Sequence, residues 1–142
     1  MTQVDFYILT GATSRPDRNR FACRLTEKAW QKGYRVFIHT GSDFEAQQLD
    51  DLLWTFRPES FVPHALATDP NSAALPVLVG WGSEPTRALD LLINLSDTVP
   101  AYFQQFARLA EIVESDDTQR DIARRRYRHY RDQGCSLRSH RL

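Results

Sequence analysis

The sequence predicts a three-layer α/β domain, with a mostly parallel central sheet and helices on both faces. Two observations carry this. Short, nearly continuous apolar runs at 4–9, 35–39 and 76–80 have the composition of strands buried on both faces. Segments of helical periodicity at 17–32 and 42–54 alternate with the first of them, and this order is how parallel βαβ units begin.

The elements follow in order. Residues 4–9 make the first strand, and 10–14 a loop. Pro16 suits the first turn of a helix in which Phe21, Ala22, Leu25, Ala29 and Trp30 recur at helical spacing until Gly33 stops it. After the strand 35–39, Ser42-Asp43-Phe44-Glu45 matches a capping box, so a second helix runs to about Trp54. Pro58 and Pro63 bracket an extended segment, 60–63. Residues 65–74 read as a loop, 76–80 and 89–95 as strands, and 100–106 as a short helix opened by Pro100. Residues 108–113 alternate well enough for a strand near a sheet edge. Ser115-Asp116-Asp117 caps a last long helix ended by Gly134. No linker or internal repeat interrupts the 142 residues, so one domain, 1–142, is expected.

Composition excludes several classes. Cys23 and Cys135 form no C-x-x-C pair and have no His at ligand spacing, so a reducing cytoplasmic compartment and no metal are expected. No run of about 18 apolar residues predicts a membrane span or signal peptide. The first loop, Leu9-Thr10-Gly11-Ala12-Thr13-Ser14, sits where a dinucleotide fold keeps its phosphate loop. It lacks the further glycines that let backbone approach a pyrophosphate, so no cofactor is expected. His39, His64, His129 and His140 are scattered, and neither Ser60 nor Ser136 lies in a nucleophile elbow; no catalytic residues are expected.

Charge is more informative. The formal net charge is zero, yet 118–142 holds eight Arg against Asp121 and Asp132. On the last helix Arg120, Arg124, Tyr127, Arg128 and Arg131 share about a third of the circumference, with no acid expected on that face. Ile122, Ala123 and Tyr130 fall on the packing side. Arg126 falls there too, a misfit explained by its head reaching out to the edge. Arginines around a tyrosine suit a short acidic peptide ending in an aromatic residue, through paired bonds to carboxylates and a flat apolar wall. They equally suit single-stranded nucleic acid. A second candidate surface is the stretch 49–64, where Trp54 and Phe61 flank a helix end and read either as core or as an anchor patch for a partner.

The whole chain resembles the chi subunit family of bacterial DNA polymerase III. The resemblance rests on the Phe6-Tyr7 strand, the helix end 49–54, the run Glu59-Ser60-Phe61-Val62-Pro63-His64, and residues 123–131 of the Arg/Tyr helix. It implies a Rossmann-like domain without nucleotide chemistry, acting as a non-catalytic adaptor in a bacterial replisome, cytoplasmic and nucleoid-associated. It implies two partners, the psi subunit of the clamp-loader complex and the acidic, Phe-ending tail of single-stranded-DNA-binding protein; DNA is reached only indirectly. By position, Trp54, Phe61, Val62 and Pro63 resemble the psi-binding side. Val113, Arg120, Arg124, Tyr127, Arg128 and Arg131 resemble the tail-binding pocket. Residues 135–142 have no counterpart in it, and Arg138 and Arg141 remain unassigned. Outside the resemblance, the alternatives are a nucleotide-binding enzyme using the Gly11 loop, or direct binding of a single strand by the Arg helix.

Overall fold

A computed structural model describes residues 2–11, 14–87 and 89–142. Its centre is a sheet of seven parallel strands: β1 (Gln3–Ile8), β2 (Val36–Thr40), β3 (His64–Leu66), β4 (Val77–Trp81), β5 (Leu91–Asn94), β6 (Arg108–Val113) and β7 (Ser136–Arg141). The order across the sheet is β3-β4-β2-β5-β6-β1-β7. Helices α1 (Arg15–Gln31) and α2 (Asp43–Thr55) cover one face, and α3 (Asp117–Asp132) covers the other.

Local chemistry explains the helix ends. Ser14 and Asp17 close a capping box at the start of α1, with Pro16 in its first turn. The Ser42 side chain accepts from the Glu45 N–H and opens α2. Asp116 accepts from the Gln119 N–H and opens α3. The chain leaves α3 through Gly134 at φ +84°, a conformation that glycine adopts without a Cβ clash.

Alternation along the strands divides the core. Val36, Ile38, Val77 and Val79 pack with Ala22, Leu49 and Leu53 under α1 and α2. Phe37, Leu92, Leu109 and Val4 pack with Phe103, Phe106 and Tyr130 on the α3 side.

The structure corrects four expectations. Residues 100–106 form no helix beyond a 3-10 turn at Phe103–Gln105, in which the aromatic residues serve the core. The extended segment 60–63 is not itself a strand. Pairing begins one residue later, at His64, after a proline that cannot donate to the ladder. β6 is no edge strand: it lies between β5 and β1, and its apparent alternation comes from Glu111, a buried carboxylate. β7 was not foreseen. It has a single apolar residue, yet pairs with β1 along its whole length.

Candidate functional site: an arginine-walled cavity

α3 is positioned by a polar anchor. Tyr130 is fully buried and its hydroxyl donates to the Glu111 carboxylate. Arg126 donates to the same carboxylate at 2.8 Å and to the Ser96 carbonyl at 2.9 Å, while Asn94 donates to Glu111 at 2.9 Å. Burial raises the Glu111 pKa, and the Arg126 charge and these donors pull against that rise. Arg126 is thus the cation that neutralises a buried acid, which corrects the expectation that its head reaches the edge. The cue was in the sequence, since a Glu inside an otherwise apolar strand needs a partner.

With Tyr130 and Arg126 turned inward, the adjoining flank of α3 overhangs the sheet. It encloses a cavity of about 420 Å3. Phe6 and Ile8 of β1, Val113 of β6 and Ala123 of α3 supply its apolar surface. Tyr127, about one third exposed, leans on Phe6 with ring centroids 5.5 Å apart. Arg120, Arg124, Arg128 and Arg131 stand around it, and Ser139 and Arg141 of β7 complete the lining. All six residues expected of a tail pocket (Val113, Arg120, Arg124, Tyr127, Arg128 and Arg131) line this one cavity. Sequence reading missed Phe6, Ile8, Ser139 and Arg141, whose approach depends on strand order.

The charges are not equally free. Arg124 pairs at 2.6 Å with Asp121, which reaches it from just beside the face expected to hold no acid, and Arg131 lies 3.5 Å from Asp132. Arg120, Arg128 and Arg141 have no ion pair among the described residues, and the Arg120 Nε is buried without an acceptor.

The second candidate surface lies at the far edge of the sheet. Trp54 and Phe61 are 48% and 62% exposed, with ring centroids 5.5 Å apart. Trp54 also lies over the buried His64 ring, 4.3 Å between centroids. Pro63 is half-buried beside them. Val62 is different: it is fully buried in the core and offers a partner no surface, so it supports the patch from below. The backbone here is fixed by side chains. His64 bonds the Val62 carbonyl at 2.6 Å and the Asp50 carbonyl at 2.9 Å. Arg57 donates to Glu27 of α1 at 2.9 Å, and Ser60 donates to the same carboxylate.

The first loop gives little welcome to a phosphate. Gly11 has φ +78°, and Ala12 and Thr13 lie outside the described residues. The Ser14 N–H and hydroxyl both donate to Asp17 at 2.9 Å, so a carboxylate already occupies this start of α1. Nearby, the buried Glu114 pairs with Arg15 at 2.8 Å and lies 4.0 Å from Arg18, whose pKa burial lowers to about 10. Histidines and acids far apart in sequence do meet, His140 with Asp5 at 3.0 Å and His64 with Asp50 at 3.5 Å. Among the described residues no cluster of three or more His, Cys, Asp or Glu is arranged to hold a metal, and no helix is long and apolar enough to cross a membrane.

Comparison with known proteins adds the family. The model of a family described as "DNA polymerase III chi subunit, HolC" matches residues 1–138. A Pseudomonas aeruginosa protein named DNA polymerase III subunit chi is 43% identical over 142 residues, covering all of this chain and 98% of its own length. Proteins of the same name from Haemophilus influenzae and Escherichia coli are 33% and 30% identical, over 94% and 96% of this chain and 93% and 96% of their own lengths.

Proposed function

The chain belongs to the DNA polymerase III chi subunit family, a component of DNA replication, and from that premise we propose that it is a non-catalytic adaptor with two docking surfaces. The arginine-walled cavity takes the acidic, Phe-ending tail of single-stranded-DNA-binding protein. The Trp54 and Phe61 surface, with Pro63, takes the psi subunit and so joins the clamp loader. The protein works in the bacterial cytoplasm at the nucleoid and reaches DNA through the tail-bearing partner.

The observation that carries this reading is the cavity itself. Five arginines, of which Arg120, Arg128 and Arg141 have no ion pair among the described residues, surround an apolar floor of Phe6, Ile8 and Val113, next to the Tyr127 ring. A terminal phenylalanine needs such a floor, and its carboxylate and preceding acids need arginines that can form paired bonds. One short peptide held this way binds at roughly micromolar affinity and weakens with salt. Several tails on one oligomeric partner raise the effective affinity without new contacts. The aromatic pair at the other edge has the character of an interface anchor, two large rings exposed above a fixed backbone.

The test is fluorescence anisotropy of a labelled acidic peptide ending in Phe, alongside psi binding, for the intact protein and two variants. Arg128→Ala is expected to lose the peptide and keep psi, and Phe61→Ala to do the reverse. Absence of peptide binding by the intact protein would remove the tail assignment. An oligonucleotide that displaced the peptide would favour direct strand binding, and saturable binding of ATP or NAD would favour the nucleotide reading.

A further inference from the structure

The cavity has a second wall that α3 does not supply. Side chains of β7 alternate between the sheet faces, and His140 fixes the phase. Its ring stacks on Tyr7, 4.8 Å between centroids at 15°, and its Nε2 meets Asp5 at 3.0 Å. Leu137, Ser139 and Arg141 therefore share the opposite face, where Leu137 joins the α3-side core and the other two line the cavity. This wall is held in register. β7 pairs with β1 from Ser136 to Arg141, and the Leu142 N–H donates to the Ile8 carbonyl at 3.1 Å. Arg141 lies opposite Ile8, and Ile8 opposite Val113, so its side chain starts beside the cavity floor.

We infer that β7 is a second recognition wall and that Arg141 is a specificity-determining residue, gripping a carboxylate of the acidic peptide from the side opposite α3. The inference rests on the reading of this cavity as the tail site. A carboxylate offers two oxygens and about four lone-pair directions, which donors on a single helix face satisfy from one side only. Arg141 supplies donors from the other side. Guanidinium groups without acids on both walls also repel one another while the cavity is empty, a cost relieved when an anion lies between them. The family model ends at residue 138, so Arg141 lies beyond the matched segment.

The experiment compares Arg141→Ala with Arg138→Ala, which removes the same charge from the other face of the same strand. Arg128→Ala is the reference, and the readout is anisotropy of the labelled acidic peptide ending in Phe. Arg141→Ala is expected to weaken binding roughly fivefold and flatten its salt dependence, with Arg138→Ala close to the intact protein. Arg141→Lys should recover only part of the loss, since an ammonium lacks the planar fork. Ser139→Asp, which leaves every arginine in place, should weaken binding by adding an acid to the same wall. Full affinity in both Arg141→Ala and Ser139→Asp, with Arg128→Ala defective, would overturn the second wall and spare the tail reading. Equal losses at 138 and 141 would also overturn it, leaving only a general effect of charge. Full affinity in Arg128→Ala as well would overturn the tail reading itself.

Discussion

The two candidate surfaces sit at opposite edges of one sheet and are built on opposite physics. The aromatic patch stands by β3, where Trp54 and Phe61 lie exposed above a backbone fixed by His64 and Glu27. The cavity stands between α3 and β7, where arginines are held over an apolar floor by the buried Glu111 anchor beneath. Five strands lie between the edge strands β3 and β7, which are roughly 30 Å apart. On the proposed reading, one site would rely on charge and weaken with salt, and the other would rely on apolar area and change little. The contrast suits a connector, whose two contacts then respond to conditions independently.

The strongest way to break the contrast is to remove the anchor of one side. Glu111→Leu leaves the Arg126 charge without its acid beneath α3 and should cost about 3–5 kcal/mol, read from urea unfolding. Next is the aromatic side. Val62→Ala should cost about 2 kcal/mol because the side chain is fully buried, whereas Phe61→Ala, exposed, should change stability by less than about 0.5 kcal/mol. Equal costs would mean that Phe61 is core and the patch no docking surface. Salt sharpens the contrast further. Raising it from low to high should weaken the acidic peptide at the cavity roughly tenfold and leave psi binding nearly unchanged, as titrations at several salt concentrations would show.

The smallest effect concerns the strand that closes the cavity. Burial pushes the Asp5 pKa up, but hydrogen bonds from His140 and Arg108 outweigh it and hold the carboxyl below its ordinary 3.8. Its contribution is therefore present above pH 3.8 and lost as the pH falls through the lower folded-state value. Asp5→Asn should flatten the acid limb of a stability–pH profile, measured by urea unfolding at stepped pH.

What could be read from the sequence follows from how each feature is encoded. The interior strands and the three helices announce themselves by apolar runs, periodicity and caps within a few residues. The arginine face of α3 is equally local, so its residues were legible before any neighbour was known. The rest depends on contacts between distant segments. β7 carries polar side chains on both faces, because an edge strand covered on only part of its surface needs few apolar residues. Arg126 looked misplaced until Glu111 was found beneath it, and Asp121 reached Arg124 from just outside the expected face. Val62 sits between the exposed Phe61 and the half-buried Pro63 yet faces the core, since alternation in an extended segment turns neighbours to opposite sides.

The strand order also dictates when the protein can fold. β1 is made first, but its two neighbours in the sheet are β6 and β7, the last strands of the chain. Gln3 pairs with Arg108 and Ser136, so the ladder at β1 closes loops of more than a hundred residues. Until then Val4 and Phe6 have neither strand partners nor α3 to cover them. Such non-local closure is slow, and it leaves an apolar strand exposed during synthesis. The β1 part of the cavity floor, Phe6 and Ile8, is thus made well before the strands and the helix that give it its place.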